Sequence, residues 1–443
     1  MSTGRPNGTG RLTALESLSP RATTERWSGR YVVALVVVFV AGIAIRVALF
    51  PSTGLKGDID QFVVWVNHIA INGLGNAYDQ NITFGPVMAY IWGVLAAIEP
   101  AFRTAADSSD QWIHSLMKVP ASLADLGLAA LMVYAFRSKP LWAVVTAAIV
   151  LLHPAVIDVS AWWGQYESIY LLTALTALVF ALNGRNGLAA AALALAVMTK
   201  PQALPFLLPF AAWFWAQGGW RELARAAAIG LAVIVVLWLP FAAAGGPGDY
   251  LHNLAVYQND IFGILSLQAW NIWYLVQTAA VGASYTPDSA AVLGPITFRH
   301  IGFLITGLLS LVVAVLILRD PRPRTFILGL AASTLIWFGF LTQMHERYAY
   351  GALIFLLLLI PERRIAWLYL AFSVVFTLDL LSAAPPAPVF AEWLPFGGVV
   401  SIIGSFVMIA ITFLVLTWMA SPKQEEAVGP DHRVAVDGEP ASV

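Results

Sequence analysis

Thr342-Gln343-Met344-His345-Glu346-Arg347-Tyr348 stands between two apolar runs, 325–341 and 349–360. Both runs read as membrane spans, and that reading makes the heptapeptide conspicuous. A charged side chain at the bilayer centre costs about 3 kcal/mol on insertion scales, so such groups are kept where they meet water, a partner or a substrate. His345, Glu346 and Arg347 at the junction of two spans therefore form a polar site held at a membrane surface. The whole chain agrees: of 443 residues 59% are hydrophobic and 11% charged, and the mean hydropathy is +0.76. Soluble chains of this length do not have that composition, whereas an all-α polytopic membrane protein does.

The chain has no cysteine. That excludes disulfides, cysteine metal sites and a thiol nucleophile. A net charge of −1 gives no global field, so nucleic acid is not an expected partner. Residues 1–30 are polar and carry Arg21, Arg26 and Arg30 before the first apolar run, 31–50. That run is longer than a signal-peptide core and lacks a small-residue cleavage site, so it reads as a retained helix. Residues 1–30 and the charged tail 421–443 are expected to be disordered and cytoplasmic, flanking one membrane domain over 31–420.

Apolar stretches predict about twelve spans, near 31–50, 116–136, 140–157, 168–183, 186–199, 201–216, 225–244, 301–318, 325–341, 348–361, 365–382 and 397–418. Arg137 and Lys139, Arg185, Arg221 and Arg225, Arg319 with Arg322 and Arg324, and Arg363 with Arg364 fall on alternate gaps. The positive-inside rule makes those gaps cytoplasmic, and the protein is expected in the plasma (inner) membrane. The gaps left outside are 51–115, 158–167, the step at Lys200, 245–300, 342–347 and 383–396. The count closes only if 84–101, bounded by Phe84-Gly85-Pro86 and Glu99-Pro100, lies on the outer surface as a helix rather than crossing.

The outer gaps hold the unusual chemistry. Lys56-Gly57-Asp58-Ile59-Asp60 opens an amphipathic helix directly after the first span. Two carboxylates there fit a general base with a hydrogen-bonding partner, or else a solvated loop with Asp58 as helix cap. Ser160-Ala161-Trp162-Trp163-Gly164-Gln165-Tyr166-Glu167-Ser168 combines interfacial aromatics with hydrogen-bonding groups that an aromatic belt does not need. Lys200, flush between two apolar runs in Met198-Thr199-Lys200-Pro201-Gln202, either snorkels or neutralises a phosphate. The long segment 245–300 carries Tyr257-Gln258-Asn259-Asp260 and Trp270-Asn271-Ile272-Trp273, enough to cap a cleft. His345 with Arg347 suits phosphate or pyrophosphate, because arginine offers a planar fork of donors; the rival is an Arg–Glu pair that only pins two helix ends.

Other polar residues read as structural. Asp125 pairs with Lys118 or with water, His153 satisfies a helix end before Pro154, and Asp379 lies close to solvent. No nucleotide-binding glycine loop, metal-ligand spacing or serine elbow occurs. Two competing classes are a flippase or transporter and a ligase moving a whole glycan. The first predicts inverted repeats, which the sequence lacks.

Gly57-Asp58 followed by Trp65 resembles the first outer loop of GT-C glycosyltransferases. The similarity is greatest to the dolichyl-phosphate-glucose glucosyltransferases and to bacterial relatives of the second mannosyltransferase of GPI-anchor synthesis. Trp163-Gly164-Gln165-Tyr166-Glu167-Ser168, Thr199-Lys200-Pro201-Gln202, Ala269-Trp270-Asn271-Ile272-Trp273 and Met344-His345-Glu346-Arg347-Tyr348 match those relatives in order. Phe84-Gly85-Pro86 departs from their Tyr-Pro-Pro. The resemblance implies a GT-C fold with two surface helices in the first outer loop. It implies inverting transfer of one sugar, mannose favoured, from a polyprenyl-phosphate donor to a glycolipid or glycan acceptor, with membrane lipids around it.

The same resemblance assigns roles. Asp58 is the catalytic base, with Asp60 and Glu167 as secondary acids. Lys200, His345 and Arg347 hold the donor phosphate. Trp163, Gln165, Gln202, Asn271, Glu346 and Tyr348 position substrate. No metal or other cofactor is expected, because a lipid phosphate is already a leaving group.

Overall fold

The computed structural model describes residues 26–281 and 285–421, and the remainder of the two expected tails lies outside them. The described residues are mostly helical, with fifteen principal helices among them: α1 Gly29–Leu49, α2 Lys56–Asn72, α3 Pro86–Ile98, α4 Gln111–Ala135, α5 Pro140–Leu152, α6 Glu167–Leu182, α7 Asn186–Val197, α8 Leu207–Ala242, α9 Gly246–Val256, α10 Ile272–Val281, α11 Phe298–Arg319, α12 Pro323–Phe340, α13 Tyr350–Leu357, α14 Arg363–Ala383 and α15 Val399–Ala420. The described residues also form four short strands. β1 (Ser266–Leu267) pairs in parallel with β4 (Met344–His345), and β2 (Ala291–Leu293) pairs antiparallel with β3 (Ile296–Thr297).

Among the described residues seven helices are long and apolar enough to cross a membrane, or eight if Pro140–Leu152 and Pro154–Trp163 form one span bent by 47°. The expected twelve is not reached, for a physical reason. α6 and α7 have 16 and 12 residues. At 1.5 Å per residue they cover about 24 and about 18 Å, short of a hydrocarbon core of about 30 Å. α13, where 348–361 is expected to span, is a helix of only 8 residues, and α8 supplies the rest of the difference, because it is two helices. Gly218 and Gly219 are non-helical inside it, and Gly219 takes φ +64°, which its missing Cβ permits. The Val87 amide donates to Met198 O (3.0 Å), while the Tyr90 hydroxyl donates to Leu237 O (3.0 Å). Residues 87 and 90 are one helical turn apart, whereas a straight helix would hold 207 and 237 about 45 Å apart. α8 therefore folds back at the glycine pair, and both its ends lie at one end of the bundle.

The break at His153 follows from Pro154, which lacks an N–H and cannot continue α5. His153 Nδ1 accepts the Ala155 amide (3.1 Å), the helix-end role expected of it. α2 buries Ile59, Phe62, Val63, Val66 and Ile69, the i, i+3, i+4, i+7 stripe of an amphipathic helix. That stripe packs with α3, Phe84, Trp92 and Tyr166 into an aromatic cluster separate from the main bundle core. α3 has 13 residues, about 20 Å, too short to cross alone.

Two expectations are corrected. Asp125 pairs with Arg46 of α1, not with Lys118 (Arg46 Nη2–Asp125 Oδ2, 2.8 Å). Seven residues along one helix is about 10 Å, too far for a direct pair. Lys118 instead donates to Ser52 O (2.6 Å) and Ser52 Oγ (3.0 Å) in the α1–α2 linker. Asp379 is fully buried rather than near solvent, and it accepts the Trp270 amide (3.1 Å).

Candidate functional site

Asp58 lies in the first turn of α2, where the helix dipole favours a carboxylate. It does not cap the helix: the cap position is Leu55, with no side-chain cap bond. Asp58 Oδ2 instead accepts from Trp163 Nε1 (2.9 Å) and Gln165 Nε2 (2.6 Å). The two donors flank Gly164, whose φ of +89° reverses the chain. Asp60 faces elsewhere. It is held by Lys56 Nζ (2.8 Å) and by the amide (2.9 Å) and hydroxyl (2.6 Å) of Ser108. Those bonds hold the Asp60 carboxyl below its usual range: burial pushes up, and Lys56 and Ser108 together outweigh it.

The second wall is cationic. Lys200 Nζ meets Glu167 Oε1 at 2.5 Å, and Arg347 Nε lies 3.3 Å from the same oxygen. Arg347 Nη1 bonds Glu346 Oε1 (2.7 Å) and approaches His345 Nδ1 (3.3 Å), and the guanidinium sits 4.8 Å above the Trp163 ring. Trp163 thus touches both walls. Burial lowers the Lys200 ammonium, opposed by Glu167. Burial and Arg347 together lower His345, leaving it neutral at pH 7. Burial would raise Glu346, but Arg347 and His345 outweigh it and hold it at about 2.

The two walls enclose a cavity of about 750 Å³. Asp58, Gln165, Lys200, Gln202, His345, Arg347 and Tyr348 all line it. Five expected residues do not. Glu167 is fully buried against Lys200 and Arg347. Trp163 and Glu346 sit behind the lining and hold Asp58 and Arg347 in place. Asp60 is turned away to Ser108. Asn271 is fully buried and corrects its expected contact with substrate: its amide nitrogen donates to Phe338 O (2.9 Å) and its oxygen accepts the Tyr274 amide (2.9 Å), so both groups are spent on helix ends.

The motifs meet because the loops are stitched together. The Gly85 amide donates to Thr199 O (3.1 Å), and a Cβ on Gly85 would stand 2.2 Å from Met198 O. Proline at 85 would lose that bond and clash, so the departure from Tyr-Pro-Pro joins the segment before α3 to the Lys200 step. Asp288, absent from the expected set, is fully buried and accepts from Arg299, Thr342 (2.8 Å) and Gln343 (2.9 Å). It clamps the segment between α10 and α11 onto the His345 motif. Nothing around Asp288 in sequence marked it, since its partners come from residues 299, 342 and 343.

The model of the ALG6, ALG8 glycosyltransferase family matches residues 104–386, well over half the chain. The chain belongs to that family. It is a multi-pass membrane glycosyltransferase that uses a lipid-linked sugar. The match includes Gln165, Glu167, Lys200 and the His345 motif, and it begins after Asp58. No curated protein matches the chain.

Proposed function

We propose that this protein is an inverting glycosyltransferase that moves one hexose from a polyprenyl-phosphate donor to a glycolipid or cell-envelope glycan. The chemistry takes place at the outer face of the plasma membrane. One observation carries the reading: Asp58, fixed by Trp163 and Gln165, faces Lys200 and Arg347 across one cavity. A base opposite a phosphate-binding wall is what displacement at a sugar phosphate requires.

In the step proposed, the acceptor O–H gives its proton to Asp58 as its oxygen bonds to the anomeric carbon. The bond from that carbon to the phosphate oxygen breaks, and the electron pair leaves with the polyprenyl phosphate. Lys200, Arg347 and neutral His345 donate to the phosphate as charge collects there. Attack from the side opposite the leaving group inverts the anomeric centre. The leaving group is already a phosphate, so the chemistry calls for no metal.

In this reading the chain makes twelve passes, with α2 and α3 on the outer surface and both termini inside; the folded-back α8, which counts as two, supports it. Mannose is the sugar favoured by the sequence motifs. Membership of the ALG6, ALG8 family favours glucose as a second reading. Purified protein given polyprenyl-phosphate mannose, glucose, galactose and arabinofuranose with a membrane lipid extract should turn over at least one donor. Asp58→Asn should lose about a hundredfold or more of that rate while melting normally. Full activity in Asp58→Asn sinks the assignment of the base.

A further inference from the structure

The wall around Asp58 is chemically unlike the cationic wall. Gln61, one turn along α2 from Asp58, lines the same cavity, as do Asn81, Thr83 and Tyr257. Gln61 Nε2 and Trp65 Nε1 both donate to Asn81 Oδ1, at 3.0 and 2.9 Å. Asn81 Nδ2 reaches the Tyr257 hydroxyl at a loose 3.4 Å. One exposed amide thus joins α2, the loop before α3 and the segment after α9. Lys200 and Arg347 are buried, whereas Asn81 is exposed and Gln61 and Tyr257 are half-buried, so this wall faces water.

Amide and phenol groups both give and accept hydrogen bonds, as sugar hydroxyls do; a phosphate or carboxylate needs donors and cations. The nearby cation Arg299 is already paired with Asp288 at 2.8 Å. Gln165 Oε1 is buried beside Asp58 without a hydrogen-bond partner, although the residue borders the cavity. It calls for a donor, and an incoming hydroxyl is one. The Asp58 charge repels an anionic acceptor.

We propose that Gln61, Asn81, Thr83 and Tyr257 form the acceptor subsite, and that it takes a neutral, hydroxyl-rich saccharide presented from the water side. This rests on the glycosyl-transfer reading. The acceptor hydroxyl gives its proton to Asp58 and its oxygen takes the sugar, as above; an acidic sugar or a hydroxyl sunk among acyl chains is disfavoured.

The test uses the full chain in detergent with the polyprenyl-phosphate hexose it turns over. Three acceptor probes are compared: octyl α-mannoside, octyl α-mannoside 6-phosphate and dioleoylglycerol. Free hexose is measured in parallel, since water needs no subsite. The neutral glycoside should be used at least about tenfold better than either rival, the size of one lost hydrogen bond to a charged or paired group. Gln61→Ala and Asn81→Ala should each raise its KM about tenfold, with donor KM and hexose release unchanged and Tyr257→Phe milder. Asn81→Ala joins three segments and can disturb folding, so Gln61→Ala, on the open face of α2, carries the result if Asn81→Ala melts early. Preference for the phosphorylated probe or dioleoylglycerol, a shift in donor KM instead, or hexose release with no transfer to any probe each overturns the subsite. A wild-type protein that neither transfers nor releases hexose from any donor sinks the glycosyl-transfer reading itself, and the subsite with it.

Discussion

Arg46–Asp125 and Lys200–Glu167–Arg347 are both buried ion-pair networks, and they differ in what is left over. Arg46 spends Nε and Nη2 on Asp125 and Nη1 on Gly42 O and Leu151 O. Asp125 also accepts from Ser160 (2.5 Å) and from Ser168. Neither side chain has an unpartnered buried atom. In the second network Glu167 Oε2 and Arg347 Nε have no hydrogen-bond partner, nor have the neighbouring Gln165 Oε1 and Gln202 Oε1. Arg347 Nε lies 3.3 Å from Glu167 but is poorly aligned with it. Each unmet buried group costs about 1–3 kcal/mol. The first network ties α1 to α4 and is complete. The second borders the cavity and keeps donors and acceptors in reserve for a ligand. Completeness, rather than charge, separates a structural pair from a site.

Mutation should divide the two networks the same way. Asp125→Ala strands Arg46 where no water reaches it, and should lower stability by about 3–5 kcal/mol. Denaturant melts of the purified protein measure this; a loss below about 1 kcal/mol would mean the pair is not holding the bundle. Arg347→Ala strands Glu346 beside a cavity that water can fill and leaves Glu167 paired with Lys200, so its stability loss should be clearly smaller. Its main effect should be on donor binding, weakened by about 1.5–3 kcal/mol, roughly tenfold to a hundredfold. Unchanged donor affinity in Arg347→Ala removes it from the phosphate wall. Smaller still is Asp60→Asn. Asp60 is bound to Lys56 and Ser108 and faces away from the cavity, so the rate should stay within a few-fold of wild type. A collapse matching that of Asp58→Asn would move the base to Asp60.

Sequence marked most of this site and less of the fold. Asp58, Gln165, Lys200 and the His345 motif were all legible, because each is a polar group that membrane burial makes expensive unless it is used. Asp125 was legible as a buried carboxylate but not its partner, since Arg46 arrives from another helix, 79 residues away. Asn271 stood in a recognisable motif and still proved to serve helix ends; a motif gives residue identity and not the direction of a side chain. Spans failed where helices are short. α6, α7 and α13 are buried among other helices, and their apolar runs do not state their lengths. The turn at Gly218-Gly219 was foreseen only as a gap between runs.

The smallest effect concerns His345. Its pKa lies below the ordinary 6.5 because burial and the adjacent Arg347 disfavour its charged form, with Lys200 adding to them and Glu346 opposing. Above about 6.5 the ring is neutral folded or unfolded, and stability owes nothing to it. Below that, the unfolded chain takes up a proton that the folded chain resists, so stability falls with pH until the folded pKa is passed. Glu346, held at about 2 against an ordinary 4.5, acts lower: its contribution is lost only as pH falls below about 4.5 toward 2. Melting temperatures from pH 8 to 5 should therefore begin to drop near 6.5, and His345→Gln should flatten the first part of the drop. Superimposable profiles for the two proteins would falsify the claim that His345 is held neutral. A polyprenyl-phosphate added at saturation brings negative charge to the same wall and should favour the protonated ring, so the difference between the two profiles should shrink. If it does not, the phosphate is bound elsewhere, and the reserved atoms of the second network serve another ligand.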